Sequence, residues 1–398
     1  MRNFLKSYLL AKGAEDIRVL PLQTENEYRV EGLVSGLPVY VEVAAHGSST
    51  GFKALLAAKA EVGMSSRPIK NKEVVALAAG GDMLSLEGEH VIAIDGLAIV
   101  VHRDNPLRAL SLEQLASVFS GQVRNWRELG GSNRPINLYA RDDKSGTWDT
   151  FKNLVLRKRV KLSGSAERFE SNDQLSDRVS ADLGGIGFVG LASVRNARAL
   201  LVSDAGTKPL LPEQSSVATE DYVLSRRLYL YTQPQTAAPF LREFIGFTQT
   251  DMGQQQVGRT GFISQALIST PADENREGPK EYLALTDNAQ RLSVNFRFSQ
   301  GSAVLDNKAL RDVQRVVDYV SRQENAMKTI HLIGFGDVKQ SESRSHVLSK
   351  LRALTVRSAL HKMNVSTAPI SGFGAYMPVA ADSAQGKVKN RRVEVWVK

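Results

Sequence analysis

The stretch 141–147 combines an arginine with two hydroxyl side chains and a glycine, a set that could bind an oxyanion. It follows a strand-like run and precedes helical apolar spacing, so the sequence predicts a strand, a loop and a helix N-terminus. The first N–H groups of a helix lack intrahelical partners, and Gly146 lets the backbone approach a bound group closely. Arg141 could grip two anion oxygens, while Ser145 and Thr147 add hydroxyl groups. The alternative is a plain helix cap beside a solvated arginine.

Two earlier loops offer the same side-chain types, one opening a predicted helix after a strand and the other forming the next turn. Their candidate anion ligands are Ser48, Ser49, Thr50, Ser65, Ser66 and Arg67. Most such residues in proteins serve turns, caps or surface ion pairs, so a local structural role is the alternative for each. An enzyme is disfavoured, because Ser49 and Ser145 have no histidine nearby in sequence and the chain lacks a GxSxG elbow and a P-loop lysine. Binding without chemistry fits these loops better.

The chain of 398 residues is too long for one ordinary core and predicts two or more domains. Strand-like and helical segments alternate in its first part, which predicts α/β sheets with ligand loops at the carboxyl ends of strands. The longest apolar run, 91–101, is interrupted and too short to span a bilayer. With no cysteine and six scattered histidines, the sequence predicts no metal site and no cofactor.

Positive charge is concentrated at the C-terminal end of the chain. Residues 291–398 hold 18 of the 51 Lys and Arg and 8 of the 42 Asp and Glu, so the remaining residues hold 33 and 34. A basic module of this kind suits an acidic polymer such as nucleic acid, cell wall or a membrane surface. Nucleic acid is disfavoured, because aromatic and basic residues are not interleaved on one element. Before this module, residues 266–290 are polar, carry two prolines and lack apolar periodicity, which predicts a linker.

The order of motifs in the first part is similar to that of PstS-type phosphate-binding proteins. The matching segments are 47–51, 63–68, 95–101, 112–115, 119–121, 125–126, 141–147 and 185–189. The resemblance covers roughly residues 1–265 and implies a two-lobed, type II periplasmic-binding-protein fold of the α/β class, with an oxyanion held between the lobes. It also implies that Arg141, Ser145, Gly146 and Thr147 are second-lobe ligands, and that Ser48 or Ser49 belongs to the first-lobe loop.

Two features depart from that family. Many phosphate binders keep an aspartate in the turn where Ser66 stands, and this aspartate accepts a hydrogen bond from a protonated phosphate oxygen and so rejects sulfate. A serine can donate or accept, so a preference for phosphate does not follow from this turn. The chain also begins at what reads as the middle of the family's first helix, with no visible secretory leader. We therefore expect the first anion loop to be missing from this sequence.

The basic C-terminal part resembles an OmpA C-terminal-like domain over residues 291–398. The motifs that carry the resemblance are 294–302, 330–337, 348–353, 370–374 and 390–395. It implies a small α+β domain in which Asp337 binds the amine and Arg352 the carboxylate of diaminopimelate in peptidoglycan. Arg391 and Lys398 are expected to add only general positive charge. The alternative is that Arg352 is a surface helix residue and Asp337 a strand-end cap.

Together these features predict a PstS-like domain at 1–265, a linker at 266–290 and an OmpA-like domain at 291–398. The predicted function is a periplasmic or cell-wall-associated binding protein that captures phosphate or a related oxyanion and is held non-covalently on diaminopimelate-type peptidoglycan. The resemblance leaves an ABC permease open as a further partner. The alternative function is a structural peptidoglycan-binding protein whose PstS-like domain is degenerate and binds no anion.

Overall fold

The computed structural model describes the chain except at Glu25, Lys144, Lys158, Arg159, Thr236, Ala237, Asn275, 299–302, Lys339 and Gln340, and except for the side chains of Ala384 and Gln385. The strands are β1 Glu15–Pro21, β2 Glu27–Val34, β3 Leu37–Ala44, β4 Val62–Ser65, β5 Glu89–Val101, β6 Ala109–Ser111, β7 Asn137–Arg141, β8 Glu167–Phe169, β9 Gly185–Gly190, β10 Arg198–Ala199, β11 Leu201–Ser203, β12 Ser225–Thr232, β13 Ser269–Pro271, β14 Gln290–Arg297, β15 Ile330–Gly334, β16 Ser371–Gly372 and β17 Arg392–Val397. The helices are α1 Arg2–Ala11, α2 Ser48–Leu56, α3 Asn71–Leu77, α4 Leu112–Phe119, α5 Gly146–Phe151, α6 Asn172–Ser180, α7 Gln214–Ala218, α8 Pro239–Gln249, α9 Asp251–Arg259, α10 Lys280–Thr286, α11 Asn307–Ser321, α12 Glu342–His361 and α13 Ala384–Asn390.

The chain divides into two units, each made of two separate stretches of sequence. The first unit comprises residues 1–95 and 226–264, and the second comprises residues 96–225 and 265–398. Within the second unit we call residues 96–225 the second lobe and residues 265–398 the C-terminal domain. The predicted α/β class is confirmed, because helices alternate with strands of mixed parallel and antiparallel pairing.

The first unit buries its core under α1. Strands β1, β2 and β3 form an antiparallel three-stranded sheet, and β4 pairs antiparallel with β12. The apolar face of α1 packs on α8, where the ring of Tyr8 lies 5.4 Å from those of Phe240, Phe244 and Phe247. Helix α2 lies close to β4, because a side chain at Gly51 would meet the Met64 carbonyl oxygen at 3.2 Å.

The second lobe is built around the part of β5 that begins at Leu97. That part pairs antiparallel with β9, β9 pairs in parallel with β7, and β7 pairs in parallel with β8. Helix α4 starts as predicted, since Ser111 Oγ accepts the Gln114 N–H at 3.1 Å and the Gln114 side chain accepts the Ser111 N–H at 2.8 Å. Parallel strands followed by helices place the end of β7 and the start of α5 at one edge of this sheet.

The C-terminal domain is an α+β fold with one mainly antiparallel sheet. Its strand order is β13, β14, β17, β15 and β16. Helices α11 and α12 supply apolar side chains to a buried cluster shared with the strands, including Val316, Val356, Phe296 and Val395. Short β16 pairs in parallel with β15, while β17 lies antiparallel between β14 and β15.

Part of the stretch expected to be a linker is folded. Within 266–290, β13 pairs antiparallel with β14, and α10 packs Tyr282 into the C-terminal domain, where its hydroxyl donates to Glu394 Oε2 at 3.0 Å. The linker stays a prediction, and the structure adds that tertiary pairing orders part of a segment that has no apolar period of its own. The boundaries at 265 and 291 stay a prediction. None of the described helices combines the length and the hydropathy needed to cross a membrane.

Candidate functional site

The loop of the second lobe that could bind an anion joins β7 to α5. Ser145 is the N-cap of α5, and its Oγ accepts the N–H groups of Thr147 at 3.2 Å and Trp148 at 3.4 Å. The alternative of a helix cap is therefore confirmed as local structure. A serine hydroxyl can still donate while it accepts, and among the described residues nothing accepts the Ser145 hydroxyl hydrogen. The cap thus leaves one donor at the start of the helix.

Arg141 ends β7 and is 9% exposed. Its Nε donates to the carbonyl of Phe169 at 3.1 Å, and its Nη2 donates to the carbonyl of Glu170. Burial lowers the pKa of Arg141, while Asp142 and Glu170 act in the opposite direction. Two of the three guanidinium nitrogens thus already donate to the backbone, and a two-pronged grip on an anion, which stays a prediction, would use Nη1 together with the second hydrogen of Nη2. Only Nη1 is left without a hydrogen bond among the described residues.

Aromatic rings pack against the helix that follows this loop. The rings of Phe151 and Phe188 stack with centroids 4.0 Å apart, and Phe119 meets Phe151 edge-on at 4.6 Å. Trp148 stacks on the same group, with its ring centroid 6.2 Å from that of Phe188. Because Trp148 follows the cap by three positions, this packing fixes the first turn of α5 and with it the Ser145 hydroxyl.

Sequence analysis missed a second arginine at this loop. The guanidinium of Arg168, on β8, lies 4.4 Å from the ring centroid of Trp148 and donates to the carbonyl of Arg141. It also pairs with Asp143 at 2.9 Å. The signal was available only as an isolated arginine 27 positions from Arg141, since strand pairing brings the two together. Arg168 adds positive charge to the anion loop.

The first unit joins its two predicted loops through their serines. The N–H of Ser66 donates to Ser48 Oγ at 3.0 Å, and the two hydroxyl oxygens lie 3.4 Å apart. Two other hydroxyl groups bond to carbonyls close by in sequence: Thr50 donates to the Gly47 carbonyl at 2.6 Å and Ser65 to the Arg67 carbonyl at 2.7 Å. Ser48 and Ser66 are therefore the pair of this unit that is placed together, while Thr50 and Ser65 stabilise turns.

Arg67 is neutralised by a partner that sequence analysis did not name. Its Nη1 and Nη2 donate to the two carboxylate oxygens of Glu73 at 2.8 and 2.7 Å, and Nη2 also donates to Ser49 Oγ at 3.3 Å. This hydrogen bonding lowers the pKa of Glu73. The role of Arg67 as an anion ligand stays a prediction, and any anion there competes with a bidentate carboxylate.

Positive charge at this face of the first unit comes instead from lysines. Ser49 and Glu73 border an open pocket of about 380 Å³, and three lysines also line it. These lysines are Lys53, Lys70 and Lys72. Clustered cations around a concavity raise the local concentration of anions. The surroundings of the Ser48 loop therefore favour an anion, although the arginine in its neighbouring turn is already paired.

The predicted wall-binding pair lies together in the C-terminal domain. Asp337 is 3% exposed, and its carboxylate lies 3.9 Å from Nη2 of Arg352. Arg352 is 6% exposed, and it donates to the Phe335 carbonyl at 3.3 Å. Burial lowers the pKa of Arg352, and Asp337 opposes that shift. The alternative of a solvated surface arginine is therefore wrong.

Arg391, which sequence analysis treated as general charge, is a direct neighbour of Asp337. Its Nε and Nη2 donate to the two carboxylate oxygens of Asp337, each at 2.9 Å. This hydrogen bonding raises the pKa of Arg391. The expectation that Arg391 acts only as a diffuse positive charge is corrected, because a bidentate pair fixes the orientation of the carboxylate. One buried carboxylate and two guanidinium groups can together recognise a zwitterion.

Comparison with known proteins gives a family model for each of two parts of the chain. The PBP superfamily domain matches residues 23–251, and the OmpA family matches residues 297–392. Protein SphX of Synechococcus elongatus is 30% identical over 228 residues, which cover 54% of this chain and 66% of that protein. The phosphate-binding protein PstS of Borreliella burgdorferi is 25% identical over 225 residues, or 55% of this chain and 77% of PstS. A solved ABC-type phosphate transport receptor from Vibrio cholerae aligns with 28% identity and a TM-score of 0.49, covering 56% of this chain and 88% of the receptor.

Proposed function

We propose that this chain, which belongs to the PBP superfamily and carries an OmpA-family domain at its C-terminal end, binds phosphate or a related oxyanion and is held on peptidoglycan. The observation that carries the anion part is the loop from β7 to α5, where the buried Arg141 ends the strand and Ser145 caps the helix four positions later. A charged donor and a hydroxyl donor at a helix start suit an oxyanion, and the names of the PstS relatives agree with that class. The role is binding without chemistry.

The wall part of the proposal rests on Asp337, Arg352 and Arg391. Diaminopimelate in peptidoglycan presents an amine and a carboxylate on one carbon. A carboxylate between two guanidinium groups complements that pair of charges, with Asp337 facing the amine and an arginine facing the carboxylate. The location that follows is the periplasm or cell envelope. An ABC permease would receive the anion there.

Titration calorimetry of phosphate into the full chain tests the anion site. Loss of one charged hydrogen bond, about 1.5–3 kcal/mol, should weaken binding by Arg141→Ala roughly 10- to 150-fold. Arg178→Ala is the matched control, because Arg178 belongs to the same lobe but its side chain is 49% exposed and pairs with Glu167 on the surface. Thermal melting of each variant shows that the fold is kept. Equal affinities for both variants and the natural chain would refute a role for Arg141.

A structural protein with a degenerate anion site is the second candidate. It is favoured by the bidentate pair of Arg67 with Glu73 and by the two backbone bonds of Arg141, which leave few charged donors for a ligand. Calorimetry separates the two candidates. Absence of heat with phosphate, sulfate and arsenate, together with sedimentation of the chain by purified diaminopimelate-type peptidoglycan, would establish the structural role.

A further inference from the structure

A turn of the second lobe lies buried against the C-terminal domain, within the second unit. Asp221 in this turn is 4% exposed, and its Oδ2 accepts from Arg291 Nη2 at 2.6 Å. Its Oδ1 accepts from Asn295 at 2.8 Å and lies 3.4 Å from Arg297 Nη2. Asn295 and Arg297 also donate to the Thr219 carbonyl, each at 2.9 Å. Three side chains of β14 thus enclose one carboxylate of the lobe.

The turn that carries Asp221 is tied to the central strand of its own lobe. The Tyr222 hydroxyl donates to the Leu97 carbonyl at 2.8 Å, and the Leu97 N–H donates to the Leu224 carbonyl at 3.1 Å. Both bonds involve β5, which is buried along its length. Glu220, just before Asp221, has a φ of 60°, a left-handed conformation that side chains rarely adopt. A strained turn that these two bonds hold on its C-terminal side presents Asp221 in a fixed position.

A second set of contacts comes from the end of α13. Lys389 Nζ donates to the carbonyls of Tyr222 and Val223 at 3.2 and 3.3 Å and to Ser225 Oγ at 3.2 Å. Away from this turn, the N–H of Ala381 donates to Asp204 Oδ2 at 3.1 Å. The lobe therefore receives hydrogen bonds from two separate segments of the C-terminal domain, β14 and the region around α13.

The buried carboxylate of Asp221 is stabilised in its ionised form by arginines of the C-terminal domain, so it depends on the lobe and that domain staying in contact. Burial acts to raise the pKa of Asp221, but Arg291, Arg392 and Arg297 outweigh it and hold the pKa below its ordinary value. The pKa of Arg291 is raised, because Glu394 and Asp221 outweigh the effect of burial. A buried carboxylate whose guanidinium partners were withdrawn would be left uncompensated, which is strongly unfavourable. Separating the lobe from the C-terminal domain is therefore as unfavourable as opening the interior of a single domain.

The same segment that docks the lobe also holds the wall-binding carboxylate. Lys389 donates to the Tyr222 carbonyl of the lobe, and Arg391 donates to both carboxylate oxygens of Asp337 at 2.9 Å. Arg392 lies 3.9 Å from Asp221. These three contacts lie within four consecutive residues, which run from the end of α13 to the first residue of β17. Any displacement of the lobe would shift this segment, and Arg391 would move with it.

We infer that Arg291, Asn295, Arg297 and Lys389 form a docking surface whose partner is the acidic turn of the second lobe of this chain. Lobe and C-terminal domain unfold as one body, and docking positions Arg391 on Asp337. The docking stands on the contacts alone, whereas its effect on wall binding rests on the proposed function. The C-terminal domain is thus fixed to the lobe rather than tethered through 266–290.

Hydrogen exchange mass spectrometry of the full chain at increasing denaturant tests the docking. In the natural chain, peptides from β9 and β17 should become exchangeable at one shared denaturant midpoint. Asp221→Asn should separate the two midpoints, and Asn295→Ala, which removes a neutral side chain, should separate them by less. Asp173→Asn is the matched control, because Asp173 is a carboxylate of the same lobe that is 55% exposed and pairs with Arg195. It should leave the shared midpoint unchanged.

Sedimentation with peptidoglycan is the second readout. Asp221→Asn should weaken wall binding about tenfold while Asp173→Asn does not, although neither carboxylate belongs to the Asp337 site. The docking would be overturned if the β9 and β17 peptides had different midpoints in the natural chain. It would also be overturned if both Asp221→Asn and Asn295→Ala kept the single shared midpoint of the natural chain. If the natural chain does not sediment but the midpoints separate as expected, the proposed wall binding fails and the docking stands. Separated midpoints with unchanged sedimentation would overturn the link to Arg391.

Discussion

Replacing Arg391 by alanine distinguishes a fixed clamp from general positive charge. The side chains of Arg391 and Asp337 are 16% and 1% exposed, so the pair is largely withdrawn from water. Breaking a buried pair by removing one partner costs about 3–5 kcal/mol. Arg352 remains 3.9 Å from the same carboxylate and compensates part of this loss. We therefore expect Arg391→Ala to destabilise the body formed by the second lobe and the C-terminal domain by about 2–3 kcal/mol, lowering its melting temperature by on the order of 5–10 °C.

Arg391→Ala should also weaken binding to peptidoglycan, for a reason separate from the loss of stability. Without Arg391, Asp337 loses the two bonds that orient its oxygens, so affinity for diaminopimelate-type peptidoglycan should fall at least ~10-fold, the equivalent of about 1.4 kcal/mol. Arg391→Lys keeps the charge without the planar fork and should give an intermediate loss. Lys398→Ala removes one exposed charge and is the control.

The assay is sedimentation of the full chain with purified peptidoglycan at about 0.05 and 0.5 M salt, below the melting temperature of each variant. Salt screens exposed charges strongly at the higher concentration and buried pairs much less. The loss in Arg391→Ala should therefore persist in high salt, whereas any effect of Lys398→Ala should disappear. Equal effects of both variants that vanish in 0.5 M salt would refute the clamp and restore the expectation drawn from the sequence.

Three further outcomes follow from the anion loops. Hydrogen bonding to Arg67 lowers the pKa of Glu73. The pair therefore stabilises the fold fully above about pH 4.5 and loses this effect as the pH falls through the lowered pKa. Below about pH 4.5 the melting temperature should fall more steeply for the natural chain than for Glu73→Gln. Ser145→Ala removes the acceptor for two N–H groups and should cost about 1 kcal/mol in urea unfolding, with weaker phosphate binding in calorimetry. Ser66→Asp should reduce the affinity for sulfate relative to phosphate in competition titrations, because sulfate has no proton to donate to a carboxylate; an unchanged ratio would show that Ser66 does not face the anion.

Signals that depend on near neighbours in the chain were read correctly from the sequence. The capping box at Ser111 and the cap at Ser145 need only the next three residues; the first occurs as predicted, and the second occurs as the alternative reading of that stretch had it. The alternation of strands and helices also depends on local periodicity, so the α/β class followed from it. Asp337 and Arg352 come together because the connection between β15 and α12 is short.

Partners distant in the sequence could not be read in this way. The carbonyls that occupy Arg141 belong to residues 28 and 29 positions away, and they reach it only through the pairing of β7 with β8. Asp221 was not a candidate in the sequence analysis, because its basic partners lie 70 and 76 positions later. The stretch 266–290 read as a linker since Tyr282 finds its place only beside Glu394. Each of these outcomes is decided by tertiary packing, which the local pattern does not contain.

The aromatic stack beneath the anion loop gives this protein a built-in fluorescent reporter. Trp148 lies between the Ser145 cap and the guanidinium of Arg168, 4.4 Å from its ring centroid, so an anion that reaches the cap changes the electric field at this indole. The other two tryptophans are Trp126 and Trp396, whose indole N–H groups donate to Gly184 and Glu394. With these two replaced by phenylalanine, the emission maximum of the full chain would follow occupancy of the second-lobe loop without any attached dye.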